Sequence, residues 1–219
     1  MATTDPLAPF QWLNASESQA GPLGVIFSIA FFRNLEPAAV VRRFSNGADS
    51  GQESDFEELS DGHVGVFRAG AWSVAIAPYG WWMTDDKMLA ELSRHCEVLA
   101  ITRHDYAVHS LAYAIDGKIV TGHRLWYPHI RWGCDPDRLN DYMRELGMEL
   151  DMTDDDYIYD ADEDEPESDS DAWDISVSTG VPRAFALAAK VTGVSFTADM
   201  LDQPLLIGPV DHRWAPAHS

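Results

Sequence analysis

Residues 24–32 read GVIFSIAFF, the longest apolar run in the chain. The run is β-branched and aromatic, with Gly21-Pro22 before it and Arg33-Asn34 after it. A membrane-spanning helix needs about 20 apolar residues, so a run this short does not cross a bilayer. It predicts a strand covered on both faces, and such a strand lies inside a sheet rather than at its edge. With that strand at the centre, the neighbouring segments read as the elements that cover it.

Upstream, residues 9–16 predict a short helix that docks Phe10, Trp12 and Leu13. Downstream, Leu35-Glu36-Pro37 opens a helix, with Pro37 at its first position and Leu35 and Val40 placed as a hydrophobic staple. Val40, Val41 and Phe44 form its core face, Arg42 and Arg43 its solvent face, and Ser45-Asn46-Gly47 its stop. Residues 48–62 are polar and acidic and predict a mobile loop. Residues 64–68 and 72–77 predict a hairpin about Ala69-Gly70-Ala71. Thr84 predicts an N-cap, Asp85 and Asp86 a first turn that suits the helix dipole, and Met88, Leu89 and Leu92 an apolar face. Residues 98–102 predict the next strand. The order to this point is β-α-β-β-α-β, the ferredoxin-like order.

Residues 110–115 and 119–126 predict a second hairpin, joined by Asp116-Gly117, a type I′ signal. Asp135-Pro136 predicts a helix start, with Leu139, Tyr142, Met143 and Leu146 on one face and Gly147 at the end. Pro182 opens a long Ala-rich helix that Gly193 ends, Thr197 caps a short one, and residues 205–210 predict a final edge strand or an extended tail. The expected fold class is α+β: a mainly antiparallel sheet with a ferredoxin-like start, extended by a hairpin and C-terminal helices. Residues 1–148 form the expected core, 149–180 an acidic, flexible insert, and 181–219 the helices and tail that complete the core.

Charge is the strongest global signal. The formal net charge is −21, yet residues 149–174 hold fourteen Asp or Glu and no Lys or Arg, which leaves only −7 for the rest. High charge with few apolar groups predicts disorder for that segment. Such a surface repels phosphates, so direct nucleic-acid binding is not expected, and a basic partner is favoured. The hydrophobic fraction, 46%, suffices for a globular core. The N-terminus has no Lys or Arg before Arg33 and no apolar core of a signal peptide. Two cysteines, Cys96 and Cys134, read as free thiols of a cytoplasmic protein. No membrane association is expected.

Four stretches resemble an uncharacterised family found mainly in actinobacteria and catalogued as a domain of unknown function. They are residues 31–37 (FFRNLEP), 71–74 (AWSV), 131–137 (RWGCDPD) and 191–197 (VTGVSFT). The resemblance covers most of the chain outside the acidic insert. It implies a soluble intracellular protein and brings no activity or catalytic residue with it.

Residues 123–137, HRLWYPHIRWGCDPD, are the densest in reactive side chains. One reading is a small-anion or nucleotide pocket that includes His129, with Arg124 and Arg131 as charge partners, Trp126 and Trp132 as walls, and the helix start at Asp135 supplying N–H groups. The other is a structural corner in which Arg131 pairs with an acid and the Trp rings pack. His104-Asp105 beside His109 reads either as a base with its orienting carboxylate or as loop histidines. Cys134 lies before an apparent N-cap, but no base or oxyanion site accompanies it, and a small, partly buried residue is the plainer reading. The run Asp160 to Glu165 resembles a calcium loop, but Glu165 stands where the sharp turn needs Gly. No metal site and no cofactor are expected. For Trp81 and Trp82, adjacent in the chain, two readings stand: one faces the core and the other a partner, or both pack in the core.

The functional expectation is a non-enzymatic cytoplasmic protein-binding module, of the immunity or inhibitor type. Its acidic segment (Asp154, Asp155, Asp156, Asp160, Asp162, Glu163, Asp164 and Glu165), with Trp81 and Trp82, would engage a basic protein partner. The alternative is a small-anion or nucleotide-binding protein or enzyme built on Arg124, His129, Arg131, Trp132 and Asp135.

Overall fold

The computed structural model describes residues 5–14, 21–80, 82–104, 109–151 and 170–214, with the backbone alone for 170–178. In chain order, a 3-10 turn (Ala8–Leu13) precedes β1 (Phe27–Arg33), α1 (Pro37–Phe44), β2 (Gln52–Ser54), β3 (His63–Ala69) and β4 (Trp72–Pro78). Then come α2 (Asp86–Leu92), β5 (Glu97–Arg103), β6 (Ser110–Ile115), β7 (Lys118–Arg124) and β8 (Arg131–Trp132). The chain closes with α3 (Asn140–Glu145), α4 (Ser170–Thr192), a 3-10 turn (Ala198–Asp202) and β9 (Leu205–Pro209). The described strands form one nine-stranded sheet in the order β2-β9-β3-β4-β1-β5-β6-β7-β8. Every pairing is antiparallel. The protein is thus a mixed α+β fold on a large antiparallel sheet, with β1 at its middle.

The two faces of β1 differ in size, and that difference runs across the sheet. Pairing aligns Ala75, Ala30, Ala100, Ala112 and Gly122 in one cross-strand row. The side chains of such a row share a face. Small residues there let α1 and α2 approach closely, through Val40, Val41, Phe44, Met88, Leu89 and Leu92. The next row, Ile76, Ile29, Ile101 and Leu111, points the other way. It packs with Phe27 and Phe31 against the opposite layer, which α4 fills with Phe185 and Leu187. Phe196 and Leu205 join the same cluster, so the C-terminal segment shares the core of β1. The 3-10 turn Ala8–Leu13 docks there too, burying Phe10 and Leu13.

One tight turn and one helix start match their residues. Asp116 and Gly117 have φ of 48° and 79°, the double left-handed geometry of a type I′ hairpin. Pro37 stands at the first position of α1, after the extended Glu36.

Several elements depart from the sequence reading. Residues 205–210 yield no edge strand: β9 lies inside the sheet, between β2 and β3. Residues 48–62 contain β2 and a 3-10 turn (Phe56–Glu58) rather than loop alone. The cap of α2 is Asp85, whose carboxylate accepts from the Lys87 and Met88 amides, and Thr84 instead accepts from the Ser110 hydroxyl. Residues 136–139 form a turn, and α3 starts only at Asn140. Helix α4 runs back to Ser170, so Pro182 sits inside it and leaves a carbonyl one turn earlier without its helix donor. Arg43 does not point to water. It donates to the Leu92 and Arg94 carbonyls and to Cys96 Sγ, closing the C-terminus of α2.

Two substitutions test this layering in urea denaturation. Phe31→Ala removes a fully buried ring from the middle strand and is expected to cost about 3–5 kcal/mol. Gly208→Ala would set a Cβ 2.3 Å from Val41 Cγ1, between β9 and α1. It is expected to cost about 1–3 kcal/mol by overpacking, and no loss would mean that α1 does not press on β9.

Candidate functional site

The stretch 123–137 is divided between the two faces of the sheet. Leu111 pairs with His123, and His123 with Arg131, so these two continue the isoleucine row on the α4 face. Gly122 pairs with Trp132, which continues the alanine row on the α1/α2 face. The indole lies flat on Gly122, where a Cβ would come within 2.5 Å of the ring. Arg124, two residues from Gly122, shares the Trp132 face and is exposed. Arg131 and Trp132 therefore cannot line one pocket, and Arg124 cannot join Arg131. Asp135 is exposed and precedes a turn, not a helix, so the expected N–H cradle is absent among the described residues. His129 is half-buried, with its ring 6.2 Å from that of Tyr127.

Arg131 is committed structurally. Its Nη1 donates to the carbonyls of Pro128 (3.3 Å) and Leu150 (3.2 Å), and its Nη2 lies 3.3 Å from Asp137 Oδ1. This is the corner in which Arg131 pairs with an acid. Beside it His123 is 1% exposed, and neither ring nitrogen has a hydrogen-bond partner among the described residues. Burial, and then the Arg131 charge, push its pKa down to about 3, so the ring is neutral at physiological pH. Arg183 of α4 is half-buried, and desolvation lowers its pKa while Glu149 opposes the shift.

The remaining candidates separate as follows. Trp82 is buried, with its ring 6.0 Å from that of Phe44, so it belongs to the core and not to a partner surface. Trp81 and Asp105 lie outside the described residues, as do Asp154, Asp155, Asp156, Asp160, Asp162, Glu163, Asp164 and Glu165. Among the described residues of the Trp82 turn, the exposed aromatic is Tyr79, 64% exposed with φ of 66°. His109 is buried against Trp126 at 3.9 Å, and its Nδ1 accepts the His104 amide at 2.8 Å. Both cysteines are free. Cys134 is exposed rather than partly buried, and burial raises the Cys96 pKa against the lowering effect of Arg43. No group of three or more His, Cys, Asp or Glu is placed to hold a metal among the described residues.

One surface feature had no counterpart in the sequence reading. An open cavity of 640 Å³ is lined by Asp55, Phe56 and Glu57 on one side and Asp199, Leu201 and Asp202 on the other. Register creates it. Ser54 at the end of β2 pairs with Leu205 at the start of β9. The segment leaving β2 therefore meets the segment entering β9, and four carboxylates from distant parts of the chain converge. Phe56 and Leu201 anchor the two sides by packing on the main core. The groove adjoins β2, whose outer edge pairs with no strand among the described residues. The signal available in the sequence was the acidic run 53–58, but nothing there places it beside Asp199 and Asp202.

The fold is thus that of a large antiparallel α+β domain with an acidic groove at one sheet edge. The chain belongs to the family described as Family of unknown function (DUF6461), whose model matches residues 3–205. A search of the curated proteins and one of the solved structures matched nothing. No described helix is long and apolar enough to cross a membrane.

The buried His123 makes a pH prediction. Between pH 6.5 and about 3 the unfolded chain binds a proton on this ring that the folded chain excludes, so His123 costs stability as pH falls through that window. Above pH 6.5 it costs nothing by this route. His123→Leu is expected to lose less stability than the parent between pH 7 and pH 5, measured by urea midpoints. Parallel losses in both proteins would show that the ring is protonated in the fold.

Proposed function

We propose that this protein is a non-enzymatic cytoplasmic binding module that engages the basic surface of a protein partner, in the manner of an immunity or inhibitor protein. The observation that carries the reading is the groove of Asp55, Glu57, Asp199 and Asp202 beside the edge of β2 that is unpaired among the described residues. An extended, basic segment would add to that edge by main-chain hydrogen bonds, while the carboxylates select its charge and Phe56 and Leu201 offer apolar contact. The acidic segment 149–174 supplies further charge of the same sign. We also read the adjoining strands β3-β4-β1-β5, with α1 and α2 on one face, as a split β-α-β pair of ferredoxin-like order into which β2 is inserted.

A Lys/Arg-rich extended peptide labelled for fluorescence anisotropy tests the groove. The parent is expected to bind it with an affinity that falls as salt rises. The variant Asp55→Asn/Asp199→Asn/Asp202→Asn is expected to bind roughly tenfold more weakly, from exposed charge pairs worth about 0.2–1 kcal/mol each. Equal affinity for both proteins, with deletion of residues 152–169 equally silent, would remove the basis of the proposal.

A second reading, a small-anion or nucleotide binder or enzyme, is favoured by one observation: His123 and Arg131 Nε are buried polar groups without partners among the described residues. A thermal-shift screen with nucleotides and phosphorylated metabolites tests it. Stabilisation by one of them that is lost in Arg131→Gln supports this reading.

A further inference from the structure

A second cavity, of 210 Å³, lies where the ends of α1 and α2 meet the turn that follows β9. Its lining includes Arg42, Arg43, Asn46, Glu91, Arg213 and Trp214, and it shares no residue with the acidic groove. The C-terminal turn is tied down by two backbone bonds, from the Asp211 amide to the Phe44 carbonyl and from the Trp214 amide to the Asp211 carbonyl. Those bonds carry Arg213 and Trp214 to the mouth of the cleft. In a chain of net charge −21, three guanidinium groups at one small cavity run against the overall field.

Helix ends explain part of this. Carbonyls at a helix C-terminus attract cations, and Arg43 is spent on those of α2. Arg213 is held by stacking, its guanidinium 4.8 Å from the Trp214 ring, with Asp211 at 3.5 Å and Glu91 at 3.8 Å as carboxylate neighbours. Two groups are left over. Among the described residues, the Arg42 side chain has no hydrogen bond or ion pair, and the buried Trp214 indole N–H has no acceptor. Buried donors are nearly always satisfied in folded proteins, so an unmet one beside a free guanidinium marks the place of an acceptor.

We propose that this cleft binds a small phosphomonoester. The phosphate oxygens would accept from Trp214 Nε1, Arg42 and the outward N–H groups of Arg213, a set of charge-assisted bonds that suits a dianion. The volume matches a phosphate with a short substituent and is below the range of about 300–1,000 Å³ typical of drug-sized ligands. Glu91 faces the same cleft and selects for a ligand that carries hydroxyl donors beside the phosphate.

The full chain titrated with glycerol 3-phosphate tests this by NMR of the indole N–H resonances, with the Trp214 signal assigned from Trp214→Phe. The expected result is a saturable shift of that signal, absent with acetate at equal ionic strength. Arg42→Gln, at an exposed position, is expected to weaken binding roughly tenfold, the loss of one charge-assisted hydrogen bond. Arg213→Gln should weaken it similarly, with the other indole signals unmoved in both variants. A Trp214 signal that ignores glycerol 3-phosphate overturns the proposal. So does one that responds equally to acetate, or only to inorganic phosphate, or that shifts undiminished in Arg42→Gln/Arg213→Gln.

Discussion

Everything in this fold depends on a strand that is dry on both sides. Phe27, Ile29 and Phe31 project one way from β1, and Ala30 and Phe32 the other, and all are fully buried. A strand of that kind is stable only when a layer covers each face, because unsatisfied apolar area on either side would be left in water. The small row of Ala75, Ala30, Ala100, Ala112 and Gly122 admits α1 and α2 on one side. The bulky row of Ile76, Ile29, Ile101 and Leu111 demands α4 and the N-terminal turn on the other. The unequal rows decide how near each helical layer can lie.

The ends of those rows explain the polar residues that first look functional. Where the alanine row runs out, Trp132 folds over Gly122 and closes the α1/α2 face. Where the isoleucine row runs out, His123 occupies an apolar position and stays neutral, and Arg131 seals the edge through Pro128, Leu150 and Asp137. A tryptophan and an arginine adjacent in sequence thus do separate structural work, because adjacent residues in a strand face opposite ways.

Charge is sorted by the same architecture. Insertion of β9 between β2 and β3 joins two acidic turns into one groove, while the turn after β9 carries Arg213 and Trp214 to the arginines of α1. One short strand thereby sets a negative surface at its start and a positive cleft beyond its end. The first is the proposed surface for a basic protein partner and the second the proposed site for a small anion.

The residues alone determined the double-sided middle strand, the Asp116-Gly117 hairpin, the proline start of α1 and the apolar faces of α1 and α2. Each rests on interactions within a few residues: side-chain periodicity, the φ preference of glycine and the fixed φ of proline. Tertiary structure decided where β9 pairs, because its five residues could add to either edge of a sheet and only the packing of Leu205 and Gly208 under α1 and the core selects an internal position. It also decided that Asp55 and Glu57 meet Asp199 and Asp202, and that Arg42 meets Arg213 and Trp214. Those groups lie about 140 to 170 residues apart, and no local rule of capping, turns or periodicity brings such partners together. Strand register does, and register is a property of the assembled sheet.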